Sequence, residues 1–236
     1  MRVTSIGYLV LTGSLLASVS NFAWARSSNS SQIAARNGST ASGGSDCTIC
    51  HTPSGSPGSV QIIGAPTNYG PSEVYDLTVR VADPTKAGAG FQISVEDPSG
   101  NHIGALSIID AVNTAFNAGD SNWVNHTSTG VSNSIANWVA NGNQADYTVR
   151  WTSPAANAGP VTFWAVGNAV DNGGSPANDN VYLTDVTATF SAPTPAVSEW
   201  GLLVLTLTMM TAATAVLVRR HDSVAPARAR STPRRR

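Results

Sequence analysis

Eighteen consecutive residues, Gly201 to Val218, carry neither a charge nor a proline. A helix rising about 1.5 Å per residue would carry them roughly 27 Å, close to the ~30 Å hydrocarbon thickness of a bilayer. Trp200 stands where an interfacial aromatic belongs, and Arg219 and Arg220 follow where the positive-inside rule places cytoplasmic charge. Seven of the thirteen Lys and Arg lie between Arg219 and Arg236, so 221–236 reads as a basic cytoplasmic tail. The segment 200–220 is expected to be a transmembrane helix, with a buried core helix as the alternative. Everything before it is then expected on the far side of a membrane.

The other end agrees with export. Arg2, an apolar run from Ile6 to Val19 and Ala23-Trp24-Ala25 have the three parts of a secretory signal peptide, with cleavage expected after Ala25. Gly13, Ser14 and Ser18 interrupt the run, which is short for a permanent span; a signal anchor is the alternative. Between signal and anchor, five basic residues face thirteen acidic ones, a net charge of −8 that the whole-chain value of −1 hides. A phosphate-binding surface needs clustered Arg and Lys, so nucleic acid is excluded as a partner. Residues 26–45 are mostly Ser, Asn, Gly and Ala and cannot bury enough apolar surface to offset chain entropy, which predicts a flexible leader. The proline-rich stretch 191–199 is expected to be an extended spacer.

From Ile62 to Phe190 the pattern is β. Val74 to Val81 alternates, with Tyr75, Leu77, Val79 and Val81 on one face; Phe91 to Val95 and Tyr147 to Trp151 alternate in the same way. Asp97-Pro98-Ser99-Gly100-Asn101 is turn chemistry ahead of Ile103 to Leu106. Val161 to Val166 and Val181 to Phe190 complete the strands, while Ile108 to Val124 and Ile135 to Ala140 are ambiguous between short helices and irregular excursions. Short alternating strands divided by Gly, Pro, Asn and Asp predict an all-β fold, a β-sandwich over 46–190.

Cys47-Thr48-Ile49-Cys50-His51 holds both cysteines of the chain. One reading is a c-type haem attachment site, with thioethers at Cys47 and Cys50 and His51 as the ligand to the haem iron. The other is a Cys47–Cys50 disulfide, natural in an exported protein, with a metal site or free thiols behind both. The stretch between signal and anchor, 26–200, holds no methionine, which leaves His102, His126 or an open position opposite His51; both histidines also suit plain hydrogen bonding in a turn and a loop. The loop Asp171 to Asn180 has Asp and Asn oxygens that could hold calcium, but lacks the spacing and closing Glu of an EF-hand. No nucleophile elbow, phosphate loop or His-Glu-x-x-His occurs. Glu96 and Asp97 are adjacent and so face opposite ways on a strand. Trp123, Trp138, Trp151 and Trp164 read as packing residues. No catalytic residue is expected.

Two stretches resemble known families. Pro195-Ala196-Val197-Ser198-Glu199-Trp200-Gly201, the apolar run and Val218-Arg219-Arg220 resemble the C-terminal sorting tails of bacterial exported proteins, in the variety named for Ile-Pro-Thr-Leu. Its Ser-Glu-Trp-Gly core matches and its leading residues do so loosely. That implies an envelope or surface protein handled by export and sorting machinery. Gly90 to Gly104, Val124-Asn125-His126, Tyr147 to Pro154 and Gly159 to Phe163 occur in the order seen in reelin-type (Reeler) domains, including the "choice-of-anchor" proteins of bacteria. This resemblance implies an immunoglobulin-like sandwich at a cell surface and carries no activity with it. The expected function is that of an exported, membrane- or surface-anchored, non-enzymatic binding or envelope protein of unknown ligand. The alternative is an exported c-type cytochrome carrying haem at Cys47, Cys50 and His51.

Overall fold

A computed structural model describes residues 35–53, 57–192 and 199–223. The signal peptide at 1–25, most of the spacer and the tail beyond Ser223 lie outside the described residues. The chain divides into two compact units, one ending at Ala192 and one beginning at Pro193.

The first unit is a two-sheet sandwich. The smaller sheet has the order β2 (Ser59–Ile63), β4 (Val74–Ala82), β9 (Gln144–Thr152), β6 (Ala105–Ile108), antiparallel throughout. The larger runs β1 (Thr52–Pro53), β11 (Ala177–Phe190), β10 (Val161–Val170), β5 (Gly88–Glu96), β8 (Asp120–His126), β7 (Thr114–Asn117). β3 (Asn68–Tyr69) joins β11 in parallel, as does β1.

The core follows the period-two patterns. Leu77, Val79 and Val81 of β4 and Tyr147, Val149 and Trp151 of β9 are buried, facing Phe91, Ile93 and Val95 of β5 and Val161, Phe163 and Ala165 of β10. Phe91 stacks on Tyr147 at 4.5 Å between ring centres, and Trp151 meets Phe163 edge-on at 4.9 Å, so aromatic rings couple the two layers. The Asp97 turn forms as expected: its carboxylate accepts from the Ser99 and Asn101 amides at 2.8 and 2.9 Å.

Three expectations change. Most of the ambiguous stretch Ile108 to Val124 is neither helix nor excursion but belongs to the hairpin β7–β8 over 114–126, turning at Gly119 with φ +86°. The helix in this region, α1 (Ser128–Asn137), begins earlier than the Ile135 expectation because Thr127 caps it, accepting from the Gly130 amide at 2.9 Å. β11 starts at Ala177, so Asn178 to Asn180 belong to a strand instead of a loop.

The second unit is one helix, α2 (Glu199–Ser223). Its window Trp200–His221 has a mean hydropathy of 2.1 and is long and apolar enough to cross a membrane.

A covered sheet face and the candidate thiol site

Every residue of β5 is buried, including Gln92, Ser94 and Glu96, which alternate with the core residues and so project from the outer face. The cover is the chain at 35–46. Asn37 bridges to Asp46 and the Gly38 amide bonds to the Ser45 carbonyl at 2.9 Å, closing a short hairpin. Gly38 has φ +78°, and a Cβ there would lie 3.1 Å from a Leu183 methyl, so glycine suits both the turn and the fit.

This segment falls in the stretch expected to be flexible, and it docks through polar contacts. The Arg36 amide donates to Gln92 Oε1 at 2.7 Å, and the Ala41 amide to Glu96 Oε2 at 2.9 Å. Asn37 Nδ2 donates to Ser94 Oγ at 2.8 Å and to the Trp164 carbonyl at 3.0 Å, while Ser94 Oγ donates to Glu96 Oε1 at 2.7 Å. Asn37→Ala is therefore expected to cost about 1–3 kcal/mol. Hydrogen exchange at the Arg36 and Ala41 amides should rise about tenfold or more; unchanged protection there would refute the docking role.

The hairpin runs into the Cys-x-x-Cys-His turn. Asp46 caps a 3-10 helix over Cys47–Ile49, accepting from the Thr48 amide at 2.7 Å. The Cys50 and His51 amides both bond to the Cys47 carbonyl, at 3.2 and 2.9 Å. Cys47 is half-buried with Sγ 3.6 Å from the Arg36 carbonyl, whereas Cys50 is exposed. Burial first, and then the Asp46 carboxylate, push the Cys47 thiol up to about 12.

His51 is turned onto the sheet. Its Nδ1 lies 2.7 Å from Oδ2 of Asp179, a fully buried carboxylate of β11 whose Oδ1 accepts from the Asp171 amide at 3.3 Å. Asn168 Nδ2 of β10 lies 3.1 Å from Nδ1 and 3.4 Å from Nε2. From sequence Asp179 was a candidate only as a calcium ligand of the Asp171–Asn180 loop, not as a partner of His51, and Asn168 was not a candidate. Asn168 is signalled in the sequence only as a polar residue in the apolar run from Ala165 to Val170.

These residues do not fit a haem as arranged. A c-type site needs both sulfurs turned to the porphyrin edge and an open approach to Nε2. Here Cys47 faces a backbone carbonyl, Asn168 crowds the imidazole, and the His51 side chain is only 15% exposed. His102 and His126, the two histidines considered as distal ligands, have contacts of their own. His102 packs edge-on against Trp123 at 5.1 Å, and His126 Nδ1 accepts from the Phe91 amide at 2.9 Å. Among the described residues, no three His, Cys, Asp or Glu side chains group as metal ligands. In the loop read as a calcium alternative, Asp179 meets His51, Asn180 Nδ2 donates to Asp83 at 2.7 Å, and Asp171 Oδ1 accepts from the Gly173 amide at 2.7 Å. Glu96 and Asp97 stay apart, one under the hairpin and the other in the exposed turn.

No family model matches the sequence, and no curated protein does. Solved structures are similar in part. A human F-spondin reeler domain shares 19% identity over 60% of this chain and 93% of its own, at a TM-score of 0.41. A second structure, of the Reelin-N domain of F-spondin, shares 18% over 61% and 94%, also at 0.41. A type II cohesin of Acetivibrio cellulolyticus shares 12% over 59% and 93%, at 0.25. The sandwich assignment stands on the two sheets and their shared core.

Proposed function

We propose that this chain is an exported protein held at a membrane or surface by α2, presenting a non-enzymatic β-sandwich in a binding or envelope role. The observation that carries the reading is the chemistry of α2. Among the described residues no part of its apolar window is buried, a large apolar surface of the kind that marks a membrane or partner contact. Its threonines satisfy themselves on the helix: Thr206 Oγ1 donates to the Leu202 carbonyl at 2.9 Å, Thr208 to Val204 at 2.9 Å and Thr214 to Met210 at 2.8 Å. A lipid-facing helix has no water to pair with, so hydroxyls turned back onto backbone carbonyls suit the hydrocarbon. Trp200 at one end and Arg219 and Arg220 at the other give the span an interfacial aromatic and a basic flank.

Alkaline washing of membranes provides the test. The full chain is expected to stay in the membrane pellet, and a variant lacking 199–223 to move to the soluble fraction. Protease added outside intact cells should remove the sandwich of the full chain. A full chain that washes off, or a deletion that changes nothing, overturns the anchoring. The cytochrome alternative rests on the spacing of Cys47, Cys50 and His51; a Soret band that persists on denatured protein would establish it.

A further inference from the structure

We propose that Cys47 and Cys50 form a thiol–disulfide exchange site with divided roles, Cys50 taking the incoming disulfide and Cys47 resolving it. A 3-10 turn eclipses residues three apart and sets their Cα atoms about 6 Å from each other, within the span a disulfide bridges. The amide bonds of Cys50 and His51 to the Cys47 carbonyl hold that geometry. On the far side of Cys50, the His51 contact with buried Asp179 pins the backbone to β11.

Access divides the labour. An external disulfide reaches exposed Cys50, whereas Cys47 Sγ is directed at the Arg36 carbonyl under the hairpin. The partner is a small or protein disulfide, R–S–S–R, of the kind an oxidising exterior supplies. Cys50 loses its proton to solvent and its thiolate attacks one sulfur; the S–S bond breaks, and the departing thiolate takes up a proton. Cys47 then gives its proton to solvent, leaves the Arg36 carbonyl and attacks Cys50 Sγ, expelling the second R–S group as a thiol. Two protein thiols are oxidised to one disulfide, and one R–S–S–R is reduced to two R–SH. The chemistry goes beyond the anchoring function and can be read without it.

The test uses the full chain in detergent, reduced and then treated with glutathione disulfide at neutral pH, with the intact mass followed over time. The native chain should pass through a single adduct and finish two hydrogens lighter with none. Cys47→Ser should stop at one adduct, formed at the native first-step rate. Cys50→Ser should acquire its adduct about tenfold more slowly or worse, because the remaining thiol is half-buried and directed at the Arg36 carbonyl. Circular dichroism checks that each variant keeps its sheets, and Cys47→Ala and Cys50→Ala replace any serine variant that does not. Equal rates for the two variants, a lasting adduct on the native chain, or sulfurs already carrying another group would overturn the assignment.

Discussion

Trp151→Ala is expected to lower the stability of the sandwich by about 3–5 kcal/mol, the largest single-residue effect anticipated for this chain. The indole is fully buried on β9 and touches three rings: Tyr69 at 5.6 Å, Phe163 at 4.9 Å and Tyr75 at 5.7 Å. The first two meet it edge-on and the third lies stacked, so truncation removes packing on several sides at once. Its Nε1 also donates to the Ile103 carbonyl at 2.9 Å, tying the strand to the chain entering β6. Trp151→Phe separates the two contributions, keeping a ring and losing the donor, at an expected cost of about 1–2 kcal/mol. Trp138 supplies the contrast. It is nearly as buried, but its Nε1 has no acceptor among the described residues, so Trp138→Phe should cost less than Trp151→Phe. Urea unfolding of the full chain in mild detergent measures all three. A Trp151→Ala loss below about 1 kcal/mol would mean that the inter-sheet core is not organised around this ring.

Trp151 also shows what was legible from sequence. Alternation at period two reports which side chains share a face, and wherever one face was apolar the reading and the sheet agree: Leu77, Val79 and Val81, then Tyr147, Val149 and Trp151. Alternation also placed Phe91, Ile93 and Val95 of β5 on one face, but it does not tell what covers the other. Gln92, Ser94 and Glu96 alternate as residues facing water do, yet they lie under the hairpin at 35–46. Composition could not reveal this, because the hairpin docks with amides and an asparagine instead of apolar groups, and the entropy argument weighed only apolar surface. The hairpin β7–β8 was hidden for another reason: β7 has only four residues, and β8 buries Trp123, Val124 and Asn125 in succession, so its polar and apolar residues do not alternate. Cys47, Cys50 and His51 were visible as a motif. What decides the chemistry of His51 is Asp179, 128 residues further along, and a local motif contains no information about a partner at that separation.

Asp83 is the second position where a large effect is expected, and here pH supplies the signature. Its carboxylate is fully buried at the end of β4 and receives Asn180 Nδ2 at 2.7 Å, Tyr182 Oη at 2.6 Å and both the amide and hydroxyl of Thr85 at 2.7 Å. Tyr182 Oη in turn accepts from the Gly58 amide at 3.2 Å, so one carboxylate ties β4, β11 and the approach to β2. Burial alone would raise this acid; the donors from Asn180, Tyr182 and Thr85 outweigh it and hold it below the usual carboxylate range. An acid depressed in the folded state stabilises the fold above its unfolded value of about 3.9, and that contribution is lost as pH falls through the lower folded value. Asp83→Asn places an amide donor against two others and should cost about 3 kcal/mol at pH 7. The gap to the native chain should narrow below about pH 4, because the unfolded carboxyl then takes up its proton while the folded one still resists it. Unfolding midpoints of the two chains at pH 7, 5 and 3 decide the matter. A gap that stays constant across that range would show that the carboxylate's charge is not what joins these strands.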